Sequence, residues 1–292
     1  MILKINSNLF KIMVESIFKF SVLLLITGSL TCFSCEKTSD EMPKQGFIID
    51  DSAAWSLSHL DYEFLPERQF AYSEDSSLVA FYFKPTKEYN HGILGDDIEA
   101  KGVALYHQQK DTVLEFNLDN QYVFEDLVPR VVDLDKDSIP EIICIRTNVN
   151  KGAGIVIYKI HDDAIIEYAW VSEIGTKYRW LNIAAITDMD GDKQIEIAWV
   201  QTPHIGGVLK VARIAEGKLT VLDQYSGVSN HAIGSRNLDL SILRKVDNIQ
   251  TLYLPTQSRK SVLGFQFIDN ELLVVDTLAI EVDFSMPLRI QF

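Results

Sequence analysis

The chain has 292 residues, of which 47% are hydrophobic and 10% aromatic, so it can bury the core of one large globular domain. This composition excludes an intrinsically disordered chain and a collagen-like rod. Asp and Glu number 41 against 27 Lys and Arg, for a net charge of −14. Because binding to phosphates requires basic side chains, no nucleic-acid partner is expected.

The N-terminal segment has the pattern of an export signal. Three lysines precede an apolar run over 20–30, which is too short to span a bilayer as a stable helix. Cys35 follows Ser34 and starts a charged stretch. This arrangement resembles a bacterial lipoprotein signal, which implies removal of residues 1–34 and acylation of Cys35. Cys32 is the alternative lipid site, and an ordinary secretory signal is the alternative interpretation of the whole segment.

The lipoprotein resemblance implies a location in the bacterial cell envelope, anchored by lipid to the outer membrane and facing either the periplasm or the cell surface. Residues 35–49 are mostly polar and predict the acylated cysteine and a flexible tether, and 50–292 predict one domain. Within that domain Cys144 is the lone thiol, so no intramolecular disulfide is expected. Its apolar surroundings predict a small core residue.

Short segments rich in Val, Ile, Tyr and Phe recur through the domain between Gly, Asn, Asp or Lys turns, and no helical period stands out. The sequence therefore predicts an all-β fold. The predicted strands are 78–84, 102–107, 112–118, 141–147, 154–160, 165–171, 195–201, 208–214, 218–222, 238–243, 251–255, 262–268 and 272–278.

Two segments repeat each other: 131–143 matches 186–198, with Asp133 and Asp188 separated by 55 positions. Each is followed by a strand, a Gly-containing turn and a second strand. A repeat of this length with about four strands is typical of a β-propeller blade. We expect four or five blades, one of them within 50–127, and we expect 287–292 to pair with that blade and close the ring. A later segment, 241–255, keeps the strand but not the acidic loop.

The two matching loops place carboxylates at positions 1, 3, 5 and 9, a pattern that suits calcium, which prefers several oxygen ligands. A main-chain carbonyl would serve at position 7. The alternative is a solvated turn in which the aspartates accept backbone N–H groups. The candidate ligands are Asp133, Asp135, Asp137, Ile139 and Glu141 in the first loop, and Asp188, Asp190, Asp192, Gln194 and Glu196 in the second.

These Asp-x-Asp-x-Asp-x-x-x-Glu loops, each followed by a strand, resemble the FG-GAP/VCBS repeats of integrin-type β-propellers. The resemblance covers about 125–280 and implies a small propeller whose loops bind calcium. The stretch from 179 through 207 to 236 is similar to bacterial secreted VCBS repeat-containing proteins, whose biochemical role is largely unassigned.

No common catalytic motif is present, although Ser229, His231 and Asp239 have the residue types of a hydrolase triad. We expect a non-catalytic binding or scaffold module for a protein or polysaccharide partner. The alternative is an envelope glycan hydrolase or lyase with His231 as base and Arg236 as charge stabiliser. Polar residues in Gly-punctuated connections form the candidate binding face, namely Asn182, His204, Asn230, His231 and Arg236.

Overall fold

The computed structural model describes residues 48–49, 57, 59–246 and 249–290. The predicted signal, both candidate acylation sites Cys32 and Cys35, and most of the predicted tether lie outside these residues. The described part is all-β, with eighteen strands and no helix, as predicted. Accordingly, none of the described residues forms a helix long and apolar enough to cross a membrane.

The strands are short and mostly antiparallel to their neighbours in sequence. Their bounds are β1 Ile48–Ile49, β2 Ala71–Tyr72, β3 Leu78–Thr86, β4 Glu99–His107, β5 Thr112–Asn117, β6 Tyr122–Phe124, β7 Arg130–Val132, β8 Glu141–Asn148, β9 Gly152–His161, β10 Ala164–Val171, β11 Leu181–Thr187, β12 Glu196–Gln201, β13 Val208–Ala215, β14 Lys218–Ser226, β15 Ile242–Val246, β16 Ile249–Pro255, β17 Val262–Ile268 and β18 Glu271–Leu278.

The strands form four consecutive antiparallel units of about four strands each. Unit I contains β2–β5, unit II β6–β10, unit III β11–β14 and unit IV β15–β18. In unit II, β6 and β7 both pair with β8 and together form one interrupted strand. Because β6 also pairs with β4, units I and II join into a single ten-stranded sheet, which begins with β1.

The predicted repeat is confirmed in the strand register. Val132 pairs with Glu141 in unit II, and 55 positions later Thr187 pairs with Glu196 in unit III. An acidic loop therefore joins the first two strands of both units in the same register. Alternating apolar residues on these strands place one set on each face of the unit, so both faces require a partner.

Three hydrophobic cores lie between consecutive units. Cys144 on β8 is fully buried in the core between units I and II, as predicted for a small core residue. Trp180 and Trp199 lie in the core between units II and III, and Leu252 and Phe265 contribute to the core between units III and IV. The units therefore pack face to face in chain order.

The outer faces of the first and last units are covered by segments from the ends of the domain. Leu57 and Phe70 pack on unit I, and Phe284 and Leu288 pack on unit IV. The Leu288 N–H donates to Asp239 O at 2.8 Å. The predicted closing strand at 287–292 is therefore wrong for its described part, 287–290, which is not a strand and covers unit IV.

Most predicted strands are present within a few residues, but the sequence did not predict the first strands of units I–III, which are β2, β6 with β7, and β11. The strand predicted at 238–243 begins only at Ile242, because Asn237 Oδ1 accepts the Asp239 N–H at 2.9 Å and holds a turn there. At the N-terminal side, Ile48–Ile49 pairs with β2, so the sheet includes two residues that we expected in the tether.

Candidate functional site

Successive turns in each antiparallel unit alternate between two ends of the fold. The connections 87–98, 172–180, 202–207 and 227–241 define what we call the loop end. Hydrogen bonds join three of these connections: the Gly234 N–H donates to Ile93 O at 2.9 Å, and the Tyr178 N–H donates to the side-chain Oη of Tyr89 at 2.9 Å. The two acidic loops, 133–140 and 188–195, define the acidic end.

Two of the predicted binding-face histidines meet at the loop end. His204 Nε2 lies 2.9 Å from His231 Nδ1, and His231 Nε2 lies 2.9 Å from Ser235 O. Trp180 packs against both, with ring centroids 6.3 Å from His204 and 4.7 Å from His231. Burial lowers the pKa of His231 to about 4 and, with the charge on His231 adding, the pKa of His204 to about 3. Both imidazoles are therefore neutral at pH 7.

The predicted binding-face residues Asn182 and Asn230 are fully buried. Asn182 Nδ2 donates to Asn230 O at 3.1 Å, and Asn230 Nδ2 donates to Asn182 O at 3.2 Å. The reciprocal pair joins β11 to the connection that leads into unit IV. These amides are therefore not accessible to a partner, and they hold the loop end together.

Arg236, the remaining predicted binding-face residue, connects 227–241 to unit I and its covering segment through ion pairs. Its guanidinium pairs with Glu67 and lies 2.6 Å from Asp96, both in unit I or its covering segment. The side chain is 45% exposed. Because two carboxylates already neutralise it, Arg236 is a poor charge stabiliser for a bound substrate.

Ser229, His231 and Asp239, which have the residue types of a triad, are not arranged as one. Ser229 Oγ donates to His231 O at 3.3 Å, and both ring nitrogens of His231 face other partners. The thiol of Cys144 is also unsuited to nucleophilic chemistry, because burial raises its pKa to about 12. Neither group is arranged as an activated nucleophile.

The sequence analysis did not predict a second histidine site at the loop end. His91 Nδ1 lies 2.5 Å from Glu125 Oε1, and the Thr147 hydroxyl donates to Glu125 Oε2 at 2.7 Å. The Trp180 indole N–H donates to Glu125 O at 2.8 Å. Glu125 lies in the break between β6 and β7, and His91 lies in unit I, so no local spacing could have indicated that they meet.

Glu99 lies beside this histidine–carboxylate pair. Ala100 on β4 pairs with Phe124, the last residue of β6, so Glu99 and Glu125 each lie next to this pair. Both side chains are buried, and Glu99 Oε2 has no hydrogen-bond partner among the described residues. Burial, with the negative charge of Glu125 adding, raises the pKa of Glu99 to about 8.

This arrangement predicts a stability that falls as pH rises from about 4.5, the ordinary pKa of a Glu side chain, to about 8. In that range the folded chain retains a proton on Glu99 that the unfolded chain loses, so ionisation favours unfolding. Glu99→Gln removes this dependence. At pH 9 the variant should be more stable than wild type by more than about 1 kcal/mol, the value of one pKa unit.

Urea unfolding of both proteins at pH 5, 7 and 9 measures this difference, and the exposed Glu271→Gln is the matched control. A difference between Glu99→Gln and wild type that stays constant with pH would show that Glu99 titrates normally.

In the first acidic loop, carboxylate oxygens of Asp133, Asp135 and Glu141 lie within 4.8 Å of one another. Lys159 pairs with Asp135 and lies 3.4 Å from Glu141. Burial raises the pKa of Glu141 to about 7, although the Leu134 N–H donates to its carboxylate. Two predicted ligands lie outside this trio: Asp137 accepts the N–H of Ile139, whose side chain is exposed.

In the second acidic loop, Asp188, Asp190 and Glu196 form the equivalent trio. The Arg213 guanidinium donates to Glu196 at 2.6 Å and to Asp190 at 3.1 Å, and it lies 3.0 Å from Asp192. Asp192 Oδ1 also accepts the Gln194 N–H at 2.7 Å. Each loop thus combines converging carboxylates with a basic side chain from the third strand of its unit.

Comparisons with known proteins leave the family of this chain open. No protein-family profile matches the chain. No curated protein matches it either. A hypothetical selenium-binding protein from Sulfolobus tokodaii is similar in structure at a TM-score of 0.43 and 10% identity, covering 75% of this chain and 55% of that one.

Two further solved structures are similar at lower TM-scores. The WD40 domain of Toxoplasma gondii coronin has a TM-score of 0.34 and 14% identity, covering 75% of this chain and 57% of that one. Rhamnogalacturonan lyase YesW has a TM-score of 0.36 and 13% identity, covering 82% and 52%. At these TM-scores the similarities define no activity for this chain.

Proposed function

We propose that this chain is a lipid-anchored, extracytoplasmic β-propeller that acts as a binding or scaffold module. Units I–IV would be its four blades, and the matched acidic loops of units II and III support an FG-GAP/VCBS type. The charged stretch that follows Cys35 supports acylation there and attachment to the outer membrane in the bacterial cell envelope. Fold alone does not specify the partner, so the partner must be inferred from the surface.

The observation that carries the proposal is a set of exposed apolar tips at the loop end. Tyr178, Ile205 and Ile233 are 40%, 61% and 71% exposed, and each lies on a different connection. Within two residues of these tips, Trp180, His204 and His231 are held by mutual contacts. Exposed apolar side chains next to a rigid cluster are typical of a binding interface. Their burial releases water, and the rigid cluster limits the loss of conformational entropy on binding.

The chemistry of these tips favours a protein partner over a polysaccharide. Isoleucine side chains donate and accept no hydrogen bonds, so they contribute little to recognition of sugar hydroxyls. They contribute well to a desolvated protein interface. We therefore take a protein of the cell envelope as the partner and treat a polysaccharide as the competing outcome.

An affinity capture experiment tests this binding face. The variant Tyr178→Ser/Ile205→Ser/Ile233→Ser should lose a protein that wild type retains from a native envelope extract. The control variant, Ile166→Ser/Val221→Ser/Leu273→Ser, removes three apolar side chains that are 39–42% exposed on β10, β14 and β18, the last strands of units II–IV, and should retain it. If the loop-end variant recovered as much of the partner protein as wild type does, this face would be ruled out. Binding on a glycan array, with no protein captured, would show that the partner is a polysaccharide.

We also propose calcium at the acidic end, where the donor set fits a hard cation. Each trio offers three carboxylates within 4.8 Å, one of them buried. Asp133, Asp135 and Glu141 would hold one ion, and Asp188, Asp190 and Glu196 the other. Lys159 and Arg213 compete for the same oxygens, so calcium must displace these basic groups. Bound calcium would stabilise the folded loops.

Thermal unfolding with calcium and with a chelator tests this proposal. We expect a midpoint several degrees higher in calcium, a smaller difference for Asp190→Ala, and no change for the exposed control Glu74→Ala. Arg213→Gln should lower the midpoint in chelator, because the carboxylates lose their counter-charge, and should widen the calcium-dependent difference. An Arg213→Gln variant that alters neither value would show that Arg213 and calcium do not share a site.

The alternative, an envelope glycan hydrolase or lyase, requires a free base and a free positive charge. His231 and Arg236 were expected in those roles, but His231 is 1% exposed with both ring nitrogens engaged, and Arg236 is paired with two acids. The binding proposal is therefore preferred.

A further inference from the structure

A cavity of about 260 Å³ lies between the second acidic loop and the first two strands of unit IV. Asp188 and Asp190 line it from the loop, and Lys245 and Gln250 line it from β15 and β16. Lys245 is exposed, so its side chain can turn to solvent, whereas Gln250 is only 9% exposed. Two carboxylates of the proposed calcium trio and one buried amide therefore border the same space.

The strand pattern directs the Gln250 side chain toward unit III. Leu252, two residues further along β16, belongs to the core between units III and IV, whereas Tyr253 belongs to the cluster on the other face of unit IV. Because side chains alternate along a strand, Gln250 lies on the same face as Leu252. Met189, which separates the two aspartates, belongs to the same core. The acidic loop and Gln250 therefore meet at one end of this interface.

The amide oxygen of Gln250 needs a hydrogen-bond donor. Its Oε1 is buried and has no hydrogen-bond partner among the described residues. A buried acceptor without a partner is costly, so water or a ligand in the cavity is expected to supply one. At about 30 Å³ per water molecule, the cavity has room for a cation together with several waters. A hydrated cation held by Asp188 and Asp190 would provide the missing donor.

The first acidic loop faces an apolar residue at the equivalent position. Ile195 lies 55 positions before Gln250 and two residues before Ile197, which belongs to the core between units II and III. It lines the cavity beside the first acidic loop, together with Asp135. An isoleucine side chain has no oxygen to offer, so the two acidic loops differ in what the next unit contributes to them.

We propose that Gln250 Oε1 accepts a hydrogen bond from a water molecule on the calcium ion of the second acidic loop, so that this ion joins unit III to unit IV. The inference rests on the proposed calcium binding and concerns the second loop alone. Calcium takes about six to eight oxygen ligands, and water is often among them. Hydrogen-bond partners outside the coordination shell orient its ligands and raise the affinity for the metal. Gln250 is therefore a positioning residue.

Titration calorimetry of the full chain with calcium tests this role. We expect two calcium ions per wild-type chain. Gln250→Met keeps the length of the side chain without its oxygen and should weaken the binding of one ion about tenfold. Gln250→Glu places a negative charge at the same point and should strengthen the binding of that ion. The matched control Gln266→Met removes another buried glutamine of unit IV, which donates to Thr251 Oγ1, and should change neither affinity.

The Asp190→Ala background identifies the ion that responds. In that background the remaining ion should bind equally well whether residue 250 is Gln or Glu. Folded Gln250→Met and Gln250→Glu variants that bind both ions as wild type does would overturn this inference and leave the calcium proposal standing. Wild type that binds no calcium would overturn both.

Discussion

Gly207→Ala is expected to destabilise the fold by about 3 kcal/mol or more, because the new methyl group has no space. A Cβ at Gly207 would lie 1.7 Å from Val228 O. The main chains approach this closely because the N–H groups of Gly227 and Val228 both donate to Gly207 O, at 2.8 and 3.3 Å. Chemical denaturation measures the loss.

The neighbouring Gly206→Ala is the matched control. Gly206 has a φ of +75° but no atom within 4 Å of an added Cβ, so only backbone strain opposes the substitution, at about 1 kcal/mol. Equal losses at the two positions would show that the close approach at Gly207 relaxes without difficulty.

Asp126→Ala is expected to cost about 3–5 kcal/mol, because it deprives the buried Arg130 guanidinium of its carboxylate. The two side chains are 0% and 2% exposed and pair across the break between β6 and β7. Burial raises the pKa of Asp126, while the charge of Arg130 opposes that rise.

The double variant Asp126→Leu/Arg130→Met controls for lost packing. It removes both charges and keeps apolar volume, so it should recover much of the stability lost in Asp126→Ala. Urea denaturation curves of the three proteins provide the comparison. A double variant less stable than Asp126→Ala would contradict the view that loss of the Asp126–Arg130 ion pair, and not lost packing, causes the effect.

The longer strands and the repeat were predictable because their signals are local. Runs such as Val262–Ile268 combine β-branched and aromatic residues with flanking turns. The first strands of units I–III have weaker sequence patterns. For example, β7 has only three residues, and β11 contains the buried Asn182, whose hydrogen-bond partner Asn230 lies 48 positions away. β6 and β7 both pair with β8 although residues 125–129 separate them. This pairing depends on tertiary contacts, so the local sequence of β6 and β7 could not predict it.

The acidic end and the loop end also differ in whether their contacts are local in sequence. Each acidic loop lies within nine residues, so its convergent carboxylates were predictable from spacing. The basic partners Lys159 and Arg213 come from the third strand of each unit and were not predicted. The contact between His91 and Glu125 joins residues 34 positions apart in different units, and Glu99 meets Glu125 only through strand pairing.

Site-specific photo-crosslinking in the native envelope tests the central claim, that the loop end binds a protein partner. A photoreactive phenylalanine at position 205, on the exposed tip, should yield a protein adduct. The same group at position 221, on β14, the last strand of unit III, should yield none. An adduct from position 221 alone would contradict this account.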